Sequence, residues 1–117
     1  MKKTSRRESG QQGEQIALEA LIAAGYTIRA HNWRCPSGEI DLIAEYNGDL
    51  VIVEVRARHA DLDAALESIS PAKQRRLIAL VDFYQAAESL DMPVRIDVVV
   101  VDLRDGHAEI IESAVGW

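Results

Sequence analysis

Three carboxylates and a guanidinium interrupt two apolar runs: Glu39 and Asp41 in Gly38-Glu39-Ile40-Asp41-Leu42-Ile43, and Glu54 and Arg56 in Val51-Ile52-Val53-Glu54-Val55-Arg56. Between the runs stands Asn47-Gly48, whose residues accept the positive φ of a type I′ hairpin turn. Counting outward in antiparallel register sets Tyr46 opposite Asp49, Ile43 opposite Ile52, Asp41 opposite Glu54 and Glu39 opposite Arg56, each pair on one face. Directly opposed Cβ atoms lie about 4.5–5.5 Å apart, where two carboxylates repel unless a positive charge lies between them. A hard cation such as Mg²⁺ or Mn²⁺, with its preference for oxygen ligands, is the expected counter-charge. It would polarise a phosphoryl oxygen and acidify bound water, the chemistry of phosphodiester hydrolysis. Arg56 lies on the same face as Glu54 and would steady the developing negative charge. The same residues admit a plain structural reading: a Glu39–Arg56 cross-strand ion pair, with Asp41 and Glu54 at a wet sheet end. Against it stand the like charges at opposed positions and the flanking of Glu54 by Val53 and Val55, where a carboxylate requires a partner.

The elements that must hold this hairpin are legible on either side of it. From Gln12 to Ala24 the residues Ile16, Ala17, Ala20, Leu21 and Ala24 recur at helical spacing, with Gly25 as the stop. Glu14 falls in the first turn, where a carboxylate complements the helix dipole. Tyr26 to Arg34 reads as a first strand ended by Cys35-Pro36-Ser37-Gly38. In the hairpin, Ile40, Leu42 and Ala44 are expected to meet Val51, Val53 and Val55 on one dry face. The opposite face divides into an apolar end near the turn and the polar end described above. Leu62 to Ile69 forms a short helix or a loop. Ser70-Pro71 then restarts a helix as N-cap and N1, running to about Ser89 with Lys73, Arg75 and Arg76 in its first turns. Val94 to Leu103 suits a buried central strand, and Asp105-Gly106 turns into an edge strand at Ala108 to Ile111. A sheet apolar on both faces is covered on both by helices, so the polar end becomes a cleft. The expected architecture is α/β: a mixed central sheet flanked by helices, in the order α-β-β-β-α-β-β.

The chain has 117 residues, 48% of them hydrophobic, which is the size and composition of one domain. Residues 10–117 are expected to form it, behind a basic, disordered tail at 1–9. The formal net charge is −6, unevenly placed. Residues 1–81 hold 11 Lys+Arg against 11 Asp+Glu, and residues 82–117 hold 2 against 8. An anionic partner at the hairpin is therefore not excluded, although tight non-specific DNA binding is disfavoured. Cys35 is the single cysteine, which points to a reducing compartment and rules out an internal disulfide. The basic start runs into Glu8, Ser9 and Gly10 rather than an apolar segment, so the expectation is a cytoplasmic protein with no membrane partner. The histidines are scattered without metal-ligand spacing.

An acid on an early helix, an Asp on the second strand and a Glu-x-basic step on the third together resemble the PD-(D/E)xK signature of restriction-endonuclease-like nucleases, which include Holliday-junction resolvases. The closer resemblance is to the YraN family of bacterial proteins. It is carried by Gly13-Glu14-Gln15-Ile16-Ala17, His31-Asn32-Trp33-Arg34, Gly38-Glu39-Ile40-Asp41-Leu42-Ile43, Val53-Glu54-Val55-Arg56-Ala57-Arg58 and Lys73. It implies Asp41, Glu54 and Glu14 around a Mg²⁺ or Mn²⁺ ion, with Arg56 in the place of the nuclease lysine and Glu39 beside the site. It also implies DNA as partner, branched or single-stranded, with Arg34, Arg58, Lys73 and Arg76 as contacts, and a homodimer as in resolvases. Arginine stays protonated and cannot serve as a general base, but it holds phosphate well; Lys73, in a first helical turn that could face the cleft, is the alternative for the lysine role, with a solvated first-turn residue as its plain reading. Two further readings remain: a DNA-binding module without catalysis, in which Arg56 pairs with Glu39 or Glu54, and a protein-interaction domain using the acidic C-terminal third.

Overall fold

The computed structural model describes residues 6–57 and 70–115. Helix α1 (Arg6–Ala23) leads into strands β1 (Thr27–Cys35), β2 (Gly38–Tyr46) and β3 (Asp49–Ala57). Helix α2 (Pro71–Ala87) follows, then β4 (Val94–Asp102) and β5 (His107–Val115). The five strands form one sheet in the order β1-β2-β3-β4-β5. All neighbours are antiparallel except β3 and β4, which are parallel and joined through α2, as a parallel pair requires a long crossover. This is the expected α/β architecture and element order. Helix α1 starts at Arg6, ahead of the expected Gln12. The segment Leu62 to Ile69 lies outside the described residues.

Each helix seals one face. Ala17 and Leu21 of α1 pack with Leu42, Ala44, Val51, Val53, Val99 and Val101. Leu77, Leu80, Val81 and Tyr84 of α2 pack with Ile40, Ile43, Leu50, Ile52 and Ile96. The hairpin turn has φ of 51° at Asn47 and 83° at Gly48, the conformation a type I′ turn demands. Its register is the expected one from Tyr46↔Asp49 through Ile43↔Ile52 to Leu42↔Val53.

The alternation of faces along β2 does not continue to its start. Ile40 and Ile43 both join the α2 layer while Leu42 joins the α1 layer, so the pattern slips by one residue around Asp41. This corrects the expected dry face of Ile40, Leu42 and Ala44. The same place in β1 is irregular: between His31↔Leu42 and Trp33↔Ile40, which keep one register, Asn32 stands at φ 53°, a left-handed conformation that Asn tolerates better than most residues, whereas the register shift of β1 falls earlier, between Ile28 and Ala30. Ala30 and Trp33 share the α2 side. Gly38, at φ 150°, sits so close to α2 that a Cβ there would lie 3.3 Å from Leu80 Cδ1. The φ favours glycine, and a larger residue would also need Leu80 to give by a few tenths of an ångström.

Candidate active site at the forked end of the sheet

The β2–β3 ladder ends at Leu42↔Val53, one step short of the acids. Beyond that point β2 stays paired with β1, through Trp33↔Ile40, Arg34↔Glu39 and Cys35↔Gly38. Strand β3 stays paired with β4, through Glu54↔Val98 to Ala57↔Val101. The two strands part company where Asp41 and Glu54 stand, so these residues are not a ladder pair as expected but line the two sides of a fork. Helix α2 closes the fork from one face. The resulting cleft has a volume of about 280 Å³ and is lined by Asp41, Glu54, Glu39 and Ser37, by Lys73 and Arg76, and by Gly38, Leu77 and Leu80.

Glu54 is 3% exposed, and a carboxylate so buried persists as a charge only when paired. Its Oε2 lies 3.1 Å from Lys73 Nζ and 3.4 Å from Arg56 Nη2. Lys73 reaches it because Ser70 caps α2: the Lys73 backbone N–H donates to Ser70 Oγ at 3.1 Å, and Pro71 follows the cap. Arg56 Nε is buried without a hydrogen-bond partner, a donor left for an acceptor.

Asp41 is the contrasting group. Among the described residues no hydrogen bond or ion pair engages its carboxylate. Burial raises its pKa to about 6, with further increments from the negative charges of Glu54, Glu14 and Glu39 and an opposing one from Lys73. One carboxylate is thus paired with two cations, and its neighbour feels only the more distant charge of Lys73. Two carboxylates with open water positions are a fitting ligand set for Mg²⁺ or Mn²⁺, which bind through one or two carboxylates and keep several waters. Among the described residues no group of three His, Cys, Asp or Glu stands close enough to hold a metal ion. A third protein ligand is accordingly not provided in this arrangement.

The remaining expected site residues separate. Glu14 lies on α1, outside the cleft lining, with Oε2 3.4 Å from His31 Nε2; it acts on Asp41 through its field alone. Glu39 pairs with Arg34, at 3.2 Å, and not with Arg56. The expected Glu39–Arg56 pair is corrected, because β2 has turned toward β1 before Glu39 is reached. Arg34, the outer member of that pair, is 74% exposed beside the cleft, and Arg76 lies in its wall. Arg58 is outside the described residues.

A family model described as "Uncharacterised protein family UPF0102" matches residues 13–101, from the helical turn that carries Glu14 to the penultimate residue of β4. The chain belongs to the UPF0102 family. This is the YraN family to which the motifs pointed. A UPF0102 protein of Chloroflexus aurantiacus is 48% identical over 106 residues, covering 89% of this chain and 87% of its own. One from Roseiflexus castenholzii is 46% identical over 101 residues, covering 84% and 82%, and one from Clavibacter michiganensis is 41% identical over 116 residues, covering 95% and 98%. The UPF0102 match spans every residue of the cleft lining.

One polar cluster in this UPF0102 chain escaped the sequence reading. Asp97 on β4 is fully buried and accepts from Tyr26 Oη at 2.7 Å, from Arg95 Nε and Nη2 at 3.1 Å each, and from the Ser113 backbone N–H at 2.8 Å. Arg95 continues to Asp49 and Glu112. The available signal was Arg95 and Asp97 in alternation ahead of four valines. Charges within so apolar a strand must find partners. The cluster fastens β3, β4 and β5 to Tyr26, the residue that leads into β1, away from the cleft.

Proposed function

We propose that the fork binds a nucleic-acid phosphodiester beside a divalent cation and hydrolyses it, acting on DNA that is branched or single-stranded. The observation that carries this reading is the Asp41 carboxylate, unpartnered among the described residues, beside the buried Glu54 where the β2–β3 ladder ends. Asp41 and Glu54 would hold Mg²⁺ or Mn²⁺. Bound there, the ion supplies Lewis-acid polarisation of a phosphoryl oxygen and an acidified water. The chain's own groups do the rest. Arg76 and Arg34 at the cleft attract and orient the phosphate; Arg56, permanently protonated, contributes charge and not proton abstraction. In the hydrolysis a water oxygen bonds to phosphorus, one phosphorus–ester oxygen bond breaks, the water proton leaves to solvent, and the departing ester oxygen takes up a proton.

A second reading rests on the doubly ion-paired Glu54. Lys73 and Arg56 already balance its charge without a metal, as suits a nucleic-acid-binding module that does not cleave. Incubating the protein with branched, single-stranded and duplex DNA in Mn²⁺ or Mg²⁺ separates the two. The enzymatic reading expects strand cleavage with at least one substrate, and its loss in Asp41→Ala. No cleavage of any substrate in either metal, or an Asp41→Ala protein as active as the parent, would reject it, and metal-independent DNA binding would then favour the module.

A further inference from the structure

The geometry points to Lys73 on α2, rather than Arg56 on β3, as the exchangeable cation of the site: it neutralises Glu54 while the cleft is empty and moves to the phosphodiester when a divalent cation occupies Asp41 and Glu54. The inference rests on the metal-dependent reading above and adds to it which residue moves and when.

Both cations touch the same atom, Glu54 Oε2, but they are held differently. Arg56 lies on β3, backed by its ladder to Val100, and its Nε is buried. Its side chain is 25% exposed, but its planar fork carries the buried Nε with it, so leaving Glu54 means turning the whole guanidinium. Lys73 presents a single ammonium on a four-carbon stem from the first turn of a helix, with 31% of its side chain exposed, and it lines the cleft. A divalent ion ligated by Glu54 would stand within a few ångströms of both cations, and repulsion at that range expels whichever moves more easily. Lys73 is the mobile one. Its path runs along the cleft past Arg76, where a phosphate would lie. Lys73, Asp41 and Glu54 line the same cleft, and the ammonium lowers the cost of charge on Asp41 while pairing with Glu54. The device gives the buried Glu54 carboxylate a second cationic partner until metal arrives, and it places the phosphate contact only on metal-loaded protein.

The test measures Mn²⁺ affinity by calorimetry, and affinity for a single-stranded phosphorothioate oligonucleotide with and without Mn²⁺, for the parent, Lys73→Gln and Lys73→Arg. Removing a competing charge beside the ligands should tighten Mn²⁺ binding by about three- to tenfold in Lys73→Gln. The same variant should bind the oligonucleotide about fivefold more weakly than the parent when loaded with Mn²⁺, and equally well without metal. Lys73→Arg, which keeps the charge, should retain parental Mn²⁺ affinity and controls for folding of the helix start. A Lys73→Gln protein that binds Mn²⁺ no tighter, or that loses oligonucleotide affinity equally with and without metal, overturns the exchange and leaves Lys73 a static ion-pair partner. A parent that binds no Mn²⁺ fails at the earlier step, the metal site itself.

Discussion

Asp41 bears the energetic cost of the site. Its carboxyl is raised to about 6 by burial and by neighbouring acids, so the fold disfavours its ionised form. The sign follows from linkage: between the ordinary carboxylate range and pH 6 the folded chain holds this proton more tightly than the unfolded one, and stability from this group falls as pH rises through that window. We therefore expect Asp41→Asn to stabilise the protein by ~1–2 kcal/mol at pH 7.5, after allowance for its partial exposure. The gain should vanish below about pH 4, where the parental carboxyl is protonated in both states. Paired urea unfolding curves at the two pH values check it, and a variant equally or less stable at pH 7.5 would contradict it. At this scale the sequence was informative about Asp41 and Glu54, because carboxylates flanked by aliphatic residues must answer to something. It was uninformative about which cation answers. Arg56, two residues along the same strand, and Lys73, nineteen positions away in the chain, reach the same oxygen, and only the crossover helix brings the second one in.

At the scale of elements the cleft exists because two strands follow different partners. The turn and register were legible as far as Leu42↔Val53, since Asn47-Gly48 and the aliphatic alternation specify them locally. The fork was not, because it is decided by pairing with β1 and β4, and β1 carries the left-handed Asn32, whose conformation no alternation pattern announces. The buried Asp97 cluster clamps the opposite side of this arrangement. Removing one partner of a buried, hydrogen-bonded charge leaves the other stranded, so Asp97→Ala should cost about 3–5 kcal/mol of stability. The measurement is the urea midpoint, with the slope of the transition checked for two-state behaviour. A loss under about 1 kcal/mol would mean that Asp49 and Glu112 suffice for Arg95.

For the whole molecule, the overall charge of −6 conceals a division of labour. Lys73 and Arg76 line the cleft and Arg34 is paired with its Glu39, while the acidic excess lies beyond residue 81. In metal-free protein Lys73 is held by Glu54, which leaves Arg34 and Arg76 for phosphate, so binding of a single strand should show a shallow salt dependence, a log–log slope of about −1.4, equivalent to roughly sevenfold weaker binding between 50 and 200 mM salt. Arg76→Ala should reduce that slope by about 0.7. Fluorescence anisotropy in EDTA reads both, and a slope steeper than about −5 would demand a basic surface other than this one. Among the described residues no helix is long and apolar enough to cross a membrane. The central claim is that Asp41 and Glu54 form a divalent-cation site, and calorimetric titration of Mn²⁺ into the parent, Asp41→Asn and Glu54→Gln tests it most directly. The account predicts one saturable site in the parent and at least about tenfold weaker binding in each variant. A parent that takes up no Mn²⁺, or variants that bind it as tightly as the parent, would contradict it.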